Sequence, residues 1–300
     1  MKPAVKGHLL ALLAVAIWGM TFIASKVLVG LLDPYWYIVI RFFLAWAFLF
    51  LLSPKPARLL PWRREGRVIL CGIVGVTLYY IFQNGALVYG TASNTGVITA
   101  CAPLFTALIL WLFGRRVKLS PLFALGFALC IGGVAAISFA GGGSGLHLLG
   151  DGFALVSAVA WSVYSILIAW VEEPSLSGLQ MTRKALFWGT LLTVPPALAL
   201  GQPVPVETFT QGGLVFWGNL LFVALCSSAL CYLLWGLATN LIGAVTTSVY
   251  LYLLPVISVI GSALILGETV RVTTVVAIGA ILVGLVFSQR GHRPTKTPAL

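Results

Sequence analysis

Charge is what this sequence has least of. Only 8% of its 300 residues are charged, against roughly 25% in a typical soluble domain. Hydrophobic residues make up 60%, and a soluble fold that apolar could not cover its own surface. Two soluble domains are therefore excluded, and the lipid bilayer is the expected solvent. Acids are scarcer still: Asp33, Glu65, Asp151, Glu172, Glu173, Glu207 and Glu268 are all there are, each in a predicted loop or at a predicted helix end. His8, His147 and His292 likewise sit at or beyond the ends of apolar runs. A membrane-embedded enzyme needs ionisable clusters or a His/Asp metal set, so that class is disfavoured; neither a metal nor any other cofactor is expected. Cys71, Cys101, Cys130, Cys226 and Cys231 lie inside apolar runs without CxxC or Cys/His spacing, the pattern of thiols that simply pack. The net charge of +11 is spread over short clusters between apolar runs, which argues against a nucleic-acid module.

What is abundant is long apolar sequence. Runs bounded by charges, Gly or Pro predict ten helices over residues 8–30, 34–53, 67–89, 92–113, 120–140, 152–170, 182–201, 212–237, 243–266 and 272–289. The first resembles a signal peptide behind Lys2 and Lys6, but it runs past the usual h-region with no convincing cleavage site, so a retained helix is expected. The seventh is the least regular, opened by Arg183 and Lys184 and interrupted by Pro195 and Pro196. Placing the N-terminus in the cytoplasm puts fifteen of the 18 Lys and Arg on the cytoplasmic side. Only Arg271 then faces outward, and Lys26 and Arg41 lie within spans. That asymmetry predicts both termini inside and the Gly141–Gly145 loop outside, in a multi-pass protein of the cell membrane.

The chain also matches itself. Trp18 pairs with Trp161, Gly85-Ala86-Leu87 with Gly236-Leu237-Ala238, Pro103 with Pro255, and Gly126 with Gly279, at offsets of 143, 151, 152 and 153. A slowly drifting offset is what loop insertions between repeats produce. The repeats are expected over 1–143 and 144–300. Five is an odd number of spans, so the two halves must be inverted relative to each other, around a central cavity suited to alternating access. The predicted fold class is thus an all-α integral membrane protein of ten helices.

With Ala16-Ile17-Trp18-Gly19 and Lys26 in the first span, Arg41 in the second, Pro103 in the fourth and Pro255 with Gly267-Glu268 in the ninth, the chain resembles the drug/metabolite transporter superfamily, in its ten-helix EamA-type branch. It departs at Gly114-Arg115, where that pattern has Gly-Glu as in the second half. The aromatic content most resembles exporters of the YddG type. The resemblance implies export of small neutral metabolites, above all aromatic and other hydrophobic amino acids, with drugs or another small metabolite as the alternative. Its partners would be that small molecule and the bilayer, with no nucleic acid, and the unit would act as a monomer.

The candidate substrate contacts are the polar and aromatic side chains that lie too deep for an interfacial belt. Span 3 carries Tyr79 with Gln83 and Tyr80 with Asn84 at i, i+4, a set costly to turn toward lipid. They line a cavity or bond neighbouring helices. Trp18, Trp161, Tyr164, Tyr232 and Tyr250 could stack on an aromatic solute, or merely pack. Lys26 is a candidate for substrate attraction or helix pairing. Arg41 is expected to bond helix-end carbonyls or Asp33, and both cations are near enough to the outer face to snorkel. Ser93, Asn94 and Thr95, with Thr246, Thr247 and Ser248 at the matching place, could cap their helices or offer donors to a carboxylate. Pro103 and Pro255 each remove a helical hydrogen bond and are candidate gating kinks. The small-residue stripes in spans 5 and 10 are assigned to scaffold. With no acid deep in any span, flux is expected to be facilitated and driven by the solute gradient alone.

Overall fold

The computed structural model describes residues 3–54, 58–113, 117–140, 145–171, 176–204, 206–242, 247 and 250–294. The Gly114-Arg115 step, residues 141–144, Glu172, Glu173, Thr246 and Ser248 lie outside them. Every predicted span meets a helix. In chain order these are α1 (Pro3–Val29) and α2 (Pro34–Leu52), α3 (Trp62–Tyr89) and α4 (Ala92–Leu112), then α5 (Pro121–Ala140), α6 (Gly145–Trp170) and α7 (Gly178–Leu200). The last three are α8, built from Gly213–Leu221, Phe222–Leu230 and Cys231–Ile242, α9 (Tyr250–Leu266) and α10 (Val272–Gly291).

Seven helices among the described residues, α1 to α6 and α8, are long and apolar enough to cross a membrane. Helices α9 and α10 are apolar but shorter, and α7 carries buried Arg183 and Lys184. The structure thus identifies seven spanning helices directly, not ten. It also adds two short strands that composition did not predict: β1 (Val117–Leu119) and β2 (His292–Pro294) pair antiparallel, joining the α4–α5 connection to the segment after α10.

Several predicted boundaries move. Helix α3 begins at Trp62 and α6 at Gly145, which brings Glu65 into the first turn of one helix and Asp151 into the second turn of the other, and both are buried. Helix α7 is continuous through Pro195 and Pro196, contrary to the predicted interruption. Its start is fixed by a capping box in which Ser177 accepts from the Gln180 amide N–H and Gln180 accepts from the Ser177 amide N–H. The prolines fall in the second half of α7, after most of its hydrogen-bond ladder has formed.

The helices carry two pairs of matching irregularities. Helix α3 widens to a π-helix over Ile73–Leu78, and α8 does the same over Phe222–Leu230. Helix α4 breaks at Ala100–Cys101 and restarts with Pro103 in its first turn. Helix α9 opens as a 3-10 turn over Tyr250–Leu253 and becomes α-helical with Pro255 in its first turn. Proline is tolerated there because the first-turn N–H has no helical partner to lose. The expected kinks are therefore helix restarts.

Packing separates scaffold from centre. Helices α5 and α10 lie against each other, where Gly126 faces the Gly284 carbonyl and Cys130 donates to the Ile281 carbonyl. With α4 they enclose a buried cluster containing Ile98, Leu104, Phe123 and Ile281. Helices α2, α3, α7 and α8 meet in a second cluster around Ile38, Phe42, Tyr79, Tyr80, Leu186 and Ala229.

Candidate functional site

The site begins with the π-helix of α3. Such a segment leaves its carbonyls in an irregular ladder and turns the following residues off the normal helical register. Immediately after it, Tyr79 and Tyr80 emerge together, their rings 4.6 Å apart and nearly perpendicular. Gly75 in the π turn lies against the Tyr164 ring; a β-carbon there would fall 2.3 Å from it. Tyr79 meets Trp161 of α6 at 4.9 Å, and Trp161 meets Tyr164 at 5.2 Å. On the other side Trp18 of α1 contacts Tyr232 at 6.1 Å and Trp235 at 5.1 Å, both on α8. Its indole N–H donates to the carbonyl of Ser227, inside the second π segment. Tyr164 and Tyr232 are both partly buried.

Arg41 joins the two aromatic groups. It is 1% exposed. Its Nε donates to Ser228 Oγ at 2.7 Å, Nη2 to Ser227 Oγ at 3.2 Å and Nη1 to Tyr37 OH at 3.4 Å. Its guanidinium carbon stands 4.7 Å from the Tyr80 ring centre and 5.0 Å from that of Phe42. The expected partner Asp33 is occupied elsewhere, capping α2 through the Tyr35 and Trp36 N–H groups and accepting from the Gln202 N–H. Nor does Arg41 snorkel. Among the described residues no acid pairs with it. An arginine at membrane depth costs about 2.5–3.5 kcal/mol on insertion scales; ring faces and hydroxyls offset part of this but leave the positive charge in place.

Two acceptors nearby are also open. Gln83 donates to Tyr79 OH at 3.1 Å and Asn84 to the Pro34 carbonyl at 2.9 Å. Their carbonyl oxygens, Gln83 Oε1 and Asn84 Oδ1, are the only buried side-chain polar atoms without a partner among the described residues. An unpaired buried acceptor is expensive, on the order of 1–3 kcal/mol.

The ends of the bundle are saturated by contrast. Lys26 donates to the carbonyls of Leu87 and Gly90 (the latter at 2.7 Å), closing the end of α3. Gly267, at φ 68°, turns the chain after α9 so that Glu268 reaches the start of α4. There the carboxylate accepts from the Ala92 and Ser93 N–H groups and from the Ser93 hydroxyl, which also bonds Ser262. Thr91 caps the same helix by accepting from the Asn94 N–H, and the Asn94 side chain bonds Asp151. The carboxylate met by these α4 donors thus comes from the chain itself. At the opposite end Glu65 accepts from Lys184, from the Trp188 indole and from the Leu60 N–H.

Of the predicted contacts, the structure joins Tyr79, Tyr80, Gln83, Trp161 and Tyr164 in one set and Trp18 and Tyr232 in another, with Arg41 against Tyr80. Asn84 lies one turn further along α3. Lys26 stands apart in the capped end, in the helix-pairing role. Tyr250 stands apart too, with its hydroxyl 2.8 Å from His8 Nδ1, ten residues or about 15 Å along α1 from Trp18. Ser227 and Ser228 were not predicted; adjacent serines in an apolar run were the available signal. An apolar groove of about 460 Å³ between α5 and α10, lined by Leu125, Gly132, Val276 and Ala280 among others, offers a solute no charged partner.

Known proteins are similar to the chain over its full length. The model of the EamA-like transporter family matches twice, over residues 5–139 and 148–289. An "Uncharacterized transporter" of Archaeoglobus fulgidus is 30% identical over 294 residues, 92% of this chain and 94% of that protein. A "Probable amino-acid metabolite efflux pump" of Salmonella typhimurium is 26% identical over 97% of each chain. A "Probable terminal-alkyne amino-acid exporter" of Streptantibioticus cattleyicolor is 26% identical over 67% of this chain and 65% of that one. One crystal structure superposes with a TM-score of 0.64 at 18% identity, covering 95% of this chain and 97% of that one, a likeness of fold alone.

Proposed function

The chain belongs to the EamA-like transporter family, and from that premise we propose that it exports small net-neutral metabolites, most of all aromatic and other hydrophobic amino acids, through the aromatic centre between α1, α3, α6 and α8. It is a multi-pass membrane transporter, and its relatives are named as transporters, exporters and efflux pumps. The observation that carries the finer reading is the centre itself. Rings of Trp18, Tyr79, Trp161, Tyr164 and Tyr232 stand around hydrogen-bonding atoms that the protein leaves unused. Such a lining suits a solute with one flat apolar end and one polar end. Names of two relatives that mention amino acids point the same way.

The architecture in this reading is ten helices in two inverted repeats, 1–143 and 144–300, working as one unit with both termini in the cytoplasm. The double family match, the paired π segments and the paired proline restarts support it. The β1–β2 pairing agrees with it as well, since the ends it joins fall on one side only if an even number of spans separates them. Labelling of cysteines placed at Ser144 and Thr295, both outside the described residues, should show opposite sidedness; labelling from one face would end the inverted arrangement.

Among the described residues no acid stands in the aromatic centre to carry a proton, and in this reading flux follows the solute gradient and the cell uses the protein as an overflow valve. The test is accumulation of labelled L-phenylalanine in proteoliposomes, with no gradient, with an imposed pH gradient, and with a membrane potential. Equal steady-state levels in all three support the proposal. Concentrative uptake driven by protons would overturn the mechanism, and absence of any uptake would overturn the substrate class.

A further inference from the structure

The centre holds a positive charge that nothing described in the protein neutralises, and beside it acceptors that nothing satisfies. Resting on the substrate reading above, we propose that Arg41 is the specificity-determining residue for the solute's carboxylate, and that the open Gln83 carbonyl takes its ammonium group. The transported species is then an α-amino-acid zwitterion. Amines or acids with the same ring but only one of the two charges are poor substrates.

The chemistry follows from the guanidinium's inventory. Arginine has five N–H donors in a flat fork, and Arg41 uses one on each nitrogen, toward Ser228, Ser227 and Tyr37. One further N–H remains on each Nη, so two donors are left for a carboxylate. The serines are neutral and the rings contribute only their faces, so the net charge of +1 stays available to an anion. Its rotamer is already fixed by three hydrogen bonds and the Phe42 and Tyr80 rings, so binding costs little side-chain entropy.

The ammonium side rests on α3. Tyr80 touches Arg41, and Gln83 comes three residues later on the same helix, with Asn84 beside it. Gln83 spends its amide N–H on Tyr79 OH and its Oε1 has no partner, whereas Asn84 is tied to the Pro34 carbonyl at the start of α2, seven residues or about 10 Å from Arg41. A cation beside Gln83 satisfies an acceptor that otherwise remains unpaired, while its own charge is balanced by the carboxylate on Arg41. The zwitterion enters as a neutral whole. That resolves how a site with one cation and no acid can pass a solute without trapping a charge in the membrane.

A merely structural Arg41 would tie α2 to α8 and be indifferent to ligand charge, so the test reads ligand preference. Binding is measured on the purified full-length protein by tryptophan fluorescence and thermal shift. The four ligands are L-phenylalanine, L-phenylalanine amide, phenethylamine and 3-phenylpropionate. Wild type should bind phenylalanine about tenfold or more tightly than the amide or the amine, the scale of a charged hydrogen-bonded pair, and more tightly than phenylpropionate. In Arg41→Gln the preference for the carboxylate should fall to within about threefold; Arg41→Lys should keep part of it. Gln83→Leu should weaken phenylalanine while sparing phenylpropionate. If Arg41→Gln does not fold, the wild-type ligand series alone decides. Equal binding of phenylalanine, its amide and phenethylamine would overturn the zwitterion assignment yet leave an aromatic-solute transporter intact. Failure of every ligand would overturn both.

Discussion

Lys26 and Arg41 are both cations buried in apolar helices, and the protein treats them in opposite ways. Lys26 spends its ammonium on two backbone carbonyls at the end of α3, with the Glu268 carboxylate within electrostatic reach. Arg41 has hydroxyls and ring faces around it and no acid among the described residues. A cation whose donors and charge are both consumed holds structure together. One whose charge is left over is prepared for something that arrives. The same contrast separates the α1–α3–α4–α9 end, where Lys26, Ser93 and Glu268 meet partners in neighbouring helices, from the centre, where Gln83 holds an open acceptor.

The sharpest way to break this comparison is at Glu268. Glu268→Ala leaves the Ala92 and Ser93 N–H groups at the α4 start without their carboxylate. It should cost about 3 kcal/mol of stability, read as a lower melting temperature in detergent. Phenylalanine affinity per folded molecule should be unchanged. A variant that melts normally but loses affinity would move Glu268 from the latch to the site. Next in size is Lys26→Met, which frees the Leu87 and Gly90 carbonyls and should cost about 1–2 kcal/mol. It should alter transport rate, through the closed end, without altering which solutes compete. A changed substrate ranking would place Lys26 at the solute after all. Smallest are the ring truncations. Trp18→Ala, Tyr79→Ala or Trp161→Ala should each weaken phenylalanine binding by on the order of 1 kcal/mol, roughly fivefold, with transport affected more than folding. If such variants fold and transport as wild type does, the rings pack and do not line a path.

The two regions also differ in how far they were readable beforehand. Helices α1 to α10 were legible because apolar length is a local property, and so was the aromatic set, since rings deep in a span are conspicuous. Glu268 was read as a helix-end acid because nothing near it in sequence shows that α4 starts beside it, 175 residues away. Under the expected repeat its counterpart is Arg115, which lies outside the described residues. Arg41 was expected to bond helix-end carbonyls or Asp33, both close in sequence; its partners Ser227 and Ser228 lie 186 and 187 residues on. The π segments left no trace beyond Gly75 and a serine pair. Long-range hydrogen bonds and ladder defects are tertiary facts, and periodicity does not encode them.

The central proposal is that solute is bound at the Arg41 centre and not at the Lys26–Glu268 end. Counterflow of labelled L-phenylalanine in proteoliposomes tests it most directly, comparing wild type, Trp161→Ala and Lys26→Met at a series of internal concentrations. The account predicts that Trp161→Ala raises the half-saturating concentration about fivefold and that Lys26→Met changes only the maximal rate. A raised half-saturating concentration in Lys26→Met, with Trp161→Ala unchanged, would contradict it.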